Sequence, residues 1–336
     1  MINFTTLFDS YYLDKGLCMY HSLEKVCDDF TLYIFCFDDK SKQVLEEEDL
    51  KHAVILSHKN LEEEYDILLK LKEERSKAEY CWTCTPVTIE YVLNHYDITN
   101  CTYIDADLYF FENPSILTDE AARDKDVHTI ITPHRFSNSL KDRRILKRSG
   151  KYCVEFNYFD QSDEAREALS WWKEKCFEWC YHLYEPERMG DQKYIEKFPI
   201  MFKGVHELEH IGGGVAPWNL AQYELDEVSG ESIRLKEKST GKSFDVIFYH
   251  FQNIRYISET KVNISSETHS KKTKQAIYIP YLKAIEGTRK YLKEKYGISF
   301  SVKKIYASNK LIAFLQGTVL RFRIKSLSDI MDLTKI

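Results

Sequence analysis

The stretch TYIDADLYFFENP at residues 102–114 sets two aspartates, Asp105 and Asp107, inside a run of apolar and aromatic residues. Residues 103–104 and 108–111 are of the types that favour a buried β-strand. On a regular strand, residues two positions apart project from the same face. Both carboxylates would then reach one cation where the strand ends. Such oxygen ligands suit Mg²⁺ or Mn²⁺, which usually complete their coordination with water and substrate phosphates.

Strands and helices alternate on both sides of this stretch. Strands are predicted at residues 2–7, 30–37, 52–56, 102–111, 127–132, 154–159 and 245–251, and helices at 14–27, 42–50, 61–78, 85–95, 163–183, 190–198 and 277–296. This order, with strands that are apolar on both faces, indicates an α/β fold with a mostly parallel central sheet and flanking helices. Ligands of such sheets bind outside the carboxyl ends of the strands. Polar residues at 5–6, 38–39 and 105–107 are therefore expected at a ligand-binding edge.

The distribution of charge divides the chain into two regions. The 336 residues are 43% hydrophobic, which is enough for one large domain or two ordinary ones. Residues 255–336 contain 17 lysines and arginines against 6 acidic residues, whereas the rest contains 30 against 47. We therefore predict a catalytic α/β domain at residues 1–256 and a basic, largely helical C-terminal extension at residues 257–336. Such a basic tail suggests an anionic partner.

Cysteine usage and the N-terminus indicate the compartment. The nine cysteines are odd in number and have no paired spacing, so they do not predict a disulfide framework and fit a reducing compartment. The opening residues MINFTTLFDS lack the basic and apolar segments of a signal peptide, and no run of about 18 apolar residues occurs. We expect a cytoplasmic protein, with possible peripheral attachment at the inner face of the membrane.

A third residue of the metal-binding type closes the last predicted strand. His250 lies in Ile247-Phe-Tyr-His-Phe251, and an imidazole with two carboxylates is a suitable ligand set for Mn²⁺ that leaves positions open for a diphosphate. The alternative for a single strand-end histidine is a surface or hydrogen-bonded side chain. The presence of both features in one α/β chain favours the metal site.

A series of short motifs in sequence order resembles the GT-A fold glycosyltransferases, in particular glycosyltransferase family eight. The resemblance covers about residues 1–256 and rests on Asn3-Phe-Thr-Thr-Leu7 with Tyr11-Tyr12 and Ser22-Leu23, Tyr103-Ile-Asp-Ala-Asp107, Glu155-Phe-Asn157, Gly190-Asp-Gln192 and Tyr249-His-Phe251. It implies a hexosyltransferase-like enzyme that uses Mn²⁺ or Mg²⁺ and a nucleotide-diphosphate sugar, such as a UDP-sugar. The acceptor would be a glycan or a lipid-linked molecule, and the anomeric configuration would be retained.

The resemblance also implies roles for individual residues. Asp105, Asp107 and His250 would bind the metal, and Asp105 would also contact the ribose. Thr5 and Tyr12 would flank the nucleotide base and ribose. Donor-sugar residues would be Asn157, Asp191 and Gln192, of which the last two are the catalytic candidates.

Two departures from the family pattern concern positive charge near the diphosphate. Arg255 lies where the family has a cation, but the spacing differs, and residues 84–88 lack the usual arginine. Lys15, Lys77 or Arg135 would supply that charge instead. Arg135 follows a predicted strand and would face the same cleft.

Several interpretations stay open from the sequence. Asp191 would be a general base in an inverting enzyme or merely the N-cap after Gly190, and Asn157 would be a satisfied turn residue. Trp218, in the loop at residues 212–219, is either a sugar-stacking platform or a core anchor. The basic segments at 277–296 and 311–331 bind an anionic membrane surface or pack on the catalytic domain. No nucleic-acid-binding motif accompanies them.

Three other functions share part of this pattern. A phosphatase of the DxD type normally carries its motif on the first strand and has Thr or Val two residues later, whereas residue 109 is Tyr. A sugar-nucleotide pyrophosphorylase would need a glycine-rich basic loop near residue 10, which the sequence lacks. A sugar-nucleotide-binding or hydrolysing protein without transferase activity would share the fold.

Overall fold

The computed structural model describes residues 1–264, 268, 270–300 and 330–336. Its strands are β1 (Ile2–Phe8), β2 (Phe30–Cys36), β3 (Ala53–Ser57), β4 (Asn100–Ile104), β5 (Leu108–Phe110), β6 (Thr129–Pro133), β7 (Tyr152–Asp160), β8 (Val205–Glu207), β9 (Gly213–Val215), β10 (Tyr223–Ser229), β11 (Ser232–Glu237), β12 (Ser243–Asp245), β13 (Phe248–His250), β14 (Arg255–Ser258), β15 (Lys261–Asn263) and β16 (Ile330–Asp332). Its α-helices are α1 (Leu13–Val26), α2 (Asp39–Glu48), α3 (His58–Glu64), α4 (Ile67–Glu74), α5 (Lys77–His95), α6 (Ser115–Arg123), α7 (Leu140–Ser149), α8 (Asp163–Glu178), α9 (Phe198–Met201) and α10 (Lys271–Tyr296).

Seven strands form the central sheet, in the order β3, β2, β1, β4, β7, β6, β8. Every neighbouring pair is parallel except β4 with β7 and β6 with β7. Only β7 therefore opposes the common strand direction. The sequence-based prediction of an α/β fold with a mostly parallel sheet and flanking helices is confirmed.

Both faces of the sheet are covered by helices, which explains why its strands are apolar on both sides. On one face, α5 and α8 pack over the sheet with buried residues that include Phe35, Val92 and Trp172. On the other face, Phe4, Leu17 and Ile104 belong to a second core that includes α1.

Short polar side chains fix the starts of the helices. Ser57 and Ser76 each form a capping box, with Asn60 and Glu79 as the respective partners. The carboxylate of Asp38 accepts a hydrogen bond from Ser41 N (2.7 Å) at the start of α2. These caps correct the predicted helices at residues 61–78 and 85–95: the Ser76 box starts α5 at Lys77, and α3 and α4 are separate.

A third core lies beside the central sheet and includes α10. Strands β5, β13 and β9 form a small sheet in that order, and buried residues of α10 pack on it. Tyr281 stacks on Phe251 with ring centroids 3.7 Å apart, and the hydroxyls of Tyr249 and Tyr278 are 2.7 Å apart. The predicted basic helix at 277–296 is therefore part of a longer helix that packs against the residues around His250.

Three strand predictions need correction. The run at residues 102–111 is two strands separated by a turn at residues 105–107. Thr5 and Thr6 lie inside β1 rather than at its end, because the strand continues through the buried Leu7 and Phe8. The hairpin of β10 and β11, and the sheet of β14, β15 and β16, lie where no strands were predicted, since their solvent-facing residues are polar.

The remaining predictions concern the cysteines and the tail. All nine cysteines are free thiols, and eight of them are buried, as expected for a chain without a disulfide framework. The predicted apolar and basic segment at 311–331 lies almost entirely outside the described residues. Within the described part of the chain, no helix combines the length and apolar character that crossing a membrane requires.

Candidate functional site

The two aspartates and the histidine meet through the pairing of β5 with β13. The chain leaves β4 at Ile104, and Leu108 N donates to Asp105 O (3.3 Å) to close the turn that carries both aspartates. In the antiparallel pair that follows, His250 lies opposite Leu108. Phe251 N also donates to Asp107 O (2.9 Å). The backbone of two short strands therefore fixes all three side chains at the carboxyl edge of β4.

The resulting cluster of Asp105, Asp107 and His250 is compact. His250 Nε2 lies 3.1 Å from Asp107 Oδ1 and 3.6 Å from Asp105 Oδ2. One potential ligand atom from each residue lies within 4.8 Å of the others. Two carboxylate oxygens and an imidazole nitrogen at this spacing fit a divalent cation such as Mn²⁺. Asp105 is the most exposed of the three, so the cluster opens to solvent on its side.

Electrostatics at the cluster show how strongly the three groups interact. Burial, which attraction to His250 offsets only in part, raises the pKa of Asp105 to about 6. Burial alone would raise the pKa of Asp107 as well, but His250 and Lys15 lower it below its usual value. Burial would lower the pKa of His250, yet Asp107 holds that pKa well above its usual value. Asp107 in particular therefore favours a positive charge at this position.

A fourth residue, Glu155 on β7, contacts the cluster through His250. Its side chain is fully buried, and its Oε2 lies 2.5 Å from Nδ1 of His250. Cys153, Glu155 and His250 form a second group of close potential ligands. The sequence motif Glu155-Phe-Asn157 was recognised, but no role was predicted for Glu155. A carboxylate within the apolar strand Cys153-Val-Glu-Phe was the signal that could have revealed it.

Lys15 and Tyr12 lie beside the cluster. Lys15 Nζ is 3.7 Å from Asp107 Oδ2 and 3.8 Å from the centroid of the Tyr12 ring. Tyr12 ends the short 3₁₀ helix that follows β1, and its side chain is 41% exposed. Of the three cations considered from the sequence, Lys15 is the one placed against the aspartate pair. Lys77 instead lies 5.4 Å from the ring centroid of Tyr11.

Asp191 and Gln192 lie at the start of a 3₁₀ helix (Gln192–Lys197). Gly190 adopts a φ of 54° before them, a conformation that glycine tolerates best. Asp191 is buried, and burial together with repulsion from Asp105 raises its pKa to about 7. Asp191 occupies the N-cap position of this helix, as one interpretation of the sequence expected, but its side chain makes no capping hydrogen bond. Gln192 Nε2 donates to Ser149 O (2.6 Å).

Asn157 is buried, Arg135 is partly buried, and both are bonded to the protein backbone. Asn157 Oδ1 accepts from Thr132 N (3.1 Å) and its Nδ2 donates to Cys153 O (3.3 Å), so the amide links β6 to β7. It is a satisfied strand residue, not a turn residue. Arg135, at a φ of 50°, donates through Nη2 to Leu208 O (2.6 Å).

The side chains of Thr5 and Arg255 form their hydrogen bonds with residues outside the cluster. Thr5 is fully buried in β1 and its Oγ1 donates to Tyr33 O (3.3 Å). Arg255 is exposed at the start of β14, and its Nη2 donates to Asn253 Oδ1 (3.3 Å). Neither side chain bonds to Asp105, Asp107 or His250.

Trp218 adjoins the cluster while its indole is anchored. Its Nε1 donates to His134 O (2.9 Å), and its ring meets that of His250 edge to face with centroids 5.4 Å apart. The ring is only partly buried. Trp218 is therefore anchored by a hydrogen bond, as the core-anchor interpretation expected. It also lies beside His250.

The structure resembles several solved glycosyltransferases. One is the apo form of mouse xyloside xylosyltransferase 1, at 12% sequence identity and a TM-score of 0.46, covering 75% of this chain and 98% of that one. Another is the galactosyltransferase LgtC in complex with donor and acceptor sugar analogues, at 13% identity and a TM-score of 0.48, covering 85% of this chain and 96% of that one.

Sequence comparison gives closer relatives. No family model matches the chain. The uncharacterised protein YfnF of Bacillus subtilis (strain 168) is 32% identical over 263 residues, which covers 76% of this chain and 82% of YfnF. The uncharacterised protein YfnD of the same strain is 31% identical over 285 residues, or 83% of this chain and 87% of YfnD. The chain therefore belongs to the same family as YfnD and YfnF.

Proposed function

We propose that this chain is a metal-dependent glycosyltransferase of the GT-A type. It transfers a sugar from a nucleotide-diphosphate sugar, such as a UDP-sugar, to a glycan or lipid-linked acceptor with retention of configuration. The observation that carries the proposal is the convergence of Asp105, Asp107 and His250 at the carboxyl edge of a mostly parallel sheet. That edge is where α/β sheets bind their ligands.

The ligand set at this edge suits a divalent cation. Asp105, Asp107 and His250 would hold Mn²⁺ or Mg²⁺, since hard oxygen ligands with one imidazole match those ions. When bound, the ion would neutralise the negative charge that develops on the leaving diphosphate. Asp107 and Glu155 raise the pKa of His250 above its usual value although burial would lower it, which supports a site built to hold positive charge.

Lys15 and Tyr12 form the nucleotide side of the proposed site. Lys15 is largely buried and lies against Asp107. Its ammonium group is therefore held near the expected position of the diphosphate. Burial would lower the pKa of Lys15, but Asp107 and Tyr12 raise it above its usual value, so the side chain carries its charge at neutral pH. Tyr12 is 41% exposed, so its ring offers a surface for the base or ribose beside Lys15.

Asp191 and Gln192 form the sugar side of the proposed site. Burial and repulsion from Asp105 raise the pKa of Asp191, which supports a position for its carboxyl group near the proposed metal ligands. A carboxylate beside the anomeric carbon stabilises positive charge that develops on the sugar ring. The hydrogen bond from Gln192 to Ser149 holds the segment against the end of α7.

Binding of a nucleotide sugar is the first test. We expect one member of a panel of sugar nucleotides, with Mn²⁺, to raise the melting temperature of the wild-type protein, because a ligand that binds only the native state stabilises it. The matched variant Asp107→Asn keeps the side-chain shape but removes the charge, and should lose most of that shift. Product stereochemistry then distinguishes retention from inversion. If no sugar nucleotide binds in the presence of Mn²⁺, the proposal is wrong.

A further inference from the structure

The contact between Glu155 and His250 calls for an explanation that packing alone does not give. Glu155 is fully buried in β7 between Val154 and Phe156, and burial of a carboxylate is costly unless it is paired. Its Oε2 is paired with Nδ1 of His250 at 2.5 Å, on the side of the ring away from the aspartates. The opposite nitrogen, Nε2, faces Asp105 and Asp107.

We propose that Glu155 is a positioning residue that holds His250 Nε2 in place as the third metal ligand. The inference rests on the proposed metal site. An ionised carboxylate only accepts hydrogen bonds, so Nδ1 of His250 must carry the proton that the contact requires. In the neutral imidazole this leaves the lone pair on Nε2, which is the atom turned toward both aspartates. Carboxylates in this position also raise the basicity of a ligating histidine.

Two other side chains of the described residues lie against the His250 ring, Cys153 and Trp218. The Cys153 thiol can both donate and accept a hydrogen bond, so it does not select one ring nitrogen. Trp218 meets the His250 ring edge to face at an interplanar angle of 81°, which restricts the ring plane. That apolar contact would be nearly the same if the two nitrogens exchanged places. The hydrogen bond to Glu155 therefore determines which tautomer of His250 is present.

Arg135 supplies a compensating charge for the buried carboxylate. Among the described residues, Arg135 Nη1 and Glu155 Oε1 are both buried without a hydrogen-bond partner. Both lie beside Gly214, where an added Cβ would be 2.5 Å from Arg135 Nη1 and 3.6 Å from Glu155 Oε1. A glycine at this point lets the guanidinium approach the carboxylate. The nearby cation offsets part of the cost of burying the carboxylate.

The test compares Mn²⁺ affinity in two matched variants. Glu155→Gln keeps the shape of the side chain but can turn its amide N–H toward Nδ1, which would place the proton on Nε2. Glu120→Gln is the control, because Glu120 is also buried and accepts a hydrogen bond from a histidine, His206 Nε2 (2.8 Å), in a different cluster. We measure free Mn²⁺ by electron paramagnetic resonance. We expect Glu155→Gln to weaken binding by about 10- to 100-fold and Glu120→Gln to leave it unchanged.

The outcomes separate this inference from the proposed function. If the wild-type protein binds no Mn²⁺, the metal site and the proposed function fail together. If the wild type binds Mn²⁺ and Glu155→Gln binds it equally well, only the role of Glu155 is overturned. Should the variant not fold, ¹⁵N NMR of the wild type with Zn²⁺ as a diamagnetic probe decides the point. The proton of His250 is expected on Nδ1, and a proton on Nε2 would contradict the inference.

Discussion

Asp191 is the carboxyl group whose ionisation depends most on its burial beside the proposed metal ligands. Its pKa rises from the usual value for an aspartate to about 7, first because it is buried and then because Asp105 repels its charge. The native state therefore binds a proton that the unfolded chain releases. Where the native state binds more protons, the free energy of unfolding falls as pH rises.

This shift predicts a pH-dependent stability difference between the wild type and Asp191→Asn in metal-free protein. As pH rises from about 4 to about 8, the wild type should lose on the order of a few kcal/mol relative to the variant. Urea unfolding at several pH values in the presence of EDTA measures the difference. If the difference in unfolding free energy between the wild type and Asp191→Asn stays constant across this pH range, Asp191 ionises normally in the native state.

Gly214 gives a second prediction about a single residue. An alanine Cβ there would lie 2.5 Å from Arg135 Nη1 and 3.3 Å from Thr132 Cγ2, so the buried guanidinium must move. We expect Gly214→Ala to lower the free energy of unfolding by about 1–3 kcal/mol, as overpacking does. Gly287→Ala is the control, because its Cβ in α10 would meet nothing within 4 Å. The control should be neutral or stabilising by about 0.5–1 kcal/mol, and equal losses would refute the steric argument.

The sequence could predict some of these residues but not others. Asp105, Asp107 and His250 follow from the rule that ligands lie at the carboxyl ends of parallel strands, because each stands at or near a strand end. Glu155 stands inside a strand, and nothing in a single sequence tells which distant histidine a buried carboxylate will meet. Thr5 was placed at a strand end because the predicted β1 was one residue too short, although Phe8 continues its apolar pattern.

At the scale of elements, α10 connects the C-terminal region to the candidate site. Tyr281 is fully buried and stacks on Phe251, which directly follows His250. Arg289 Nε lies 2.6 Å from Asp14 Oδ2, and Asp14 directly precedes Lys15 in α1. The helix therefore supports both the histidine and the lysine of the proposed site.

Removal of the Tyr281 ring should destabilise the fold and weaken metal binding together. We expect Tyr281→Ala to cost about 3–5 kcal/mol, the usual range for a large buried aromatic side chain. Tyr281→Phe keeps the ring and removes a hydroxyl that has no described partner, so it should change little. Tyr291→Ala, on the exposed side of the same helix, removes little buried surface but loses the hydrogen bond of the hydroxyl to Glu48 (3.0 Å), so it should cost only about 1 kcal/mol. Chemical denaturation measures all three, and a Tyr281→Ala loss no larger than that of Tyr291→Ala would contradict this role.

The elements themselves were predictable to the extent that their patterns were regular. Alternating apolar strands and amphipathic helices identified most of the central sheet. The turn at residues 105–107 was missed because apolar residues continue on both sides of it, and only pairing with β13 shows where β5 begins. The hairpin of β10 and β11 was missed since three of the last five residues of β10 are exposed and polar or charged. Helix ends depended on capping contacts that spacing alone does not reveal.

At the scale of the whole molecule, the uneven charge predicts attraction to anionic surfaces. Basic residues predominate in residues 255–336, while the rest of the chain is acidic. We predict binding to vesicles that contain phosphatidylglycerol, and weaker binding as salt increases, because screening shortens the range of charge attraction. Cosedimentation at several salt concentrations measures it.

Two sets of substitutions locate the responsible segment. Lys303, Lys304, Arg321 and Arg323, outside the described residues, are changed to glutamine in one variant. Lys290 and Lys293, exposed on α10, are changed in the control. The first set should reduce vesicle binding more than the second. Equal binding by wild type and both variants would mean that the tail does not contact anionic lipid.

The central claim is that Asp105, Asp107 and His250 hold a cation that assists departure of a nucleoside diphosphate from a sugar. The most direct measurement uses the sugar nucleotide that raises the melting temperature of the wild type. Release of nucleoside diphosphate from it is followed with Mn²⁺ and with EDTA, for the wild type and for Asp107→Asn. The account predicts release by the wild type only with Mn²⁺, and a loss of at least about 100-fold in the variant, as expected when a charged group at the reacting centre is removed. Release that is unaffected by EDTA or by the substitution would contradict it.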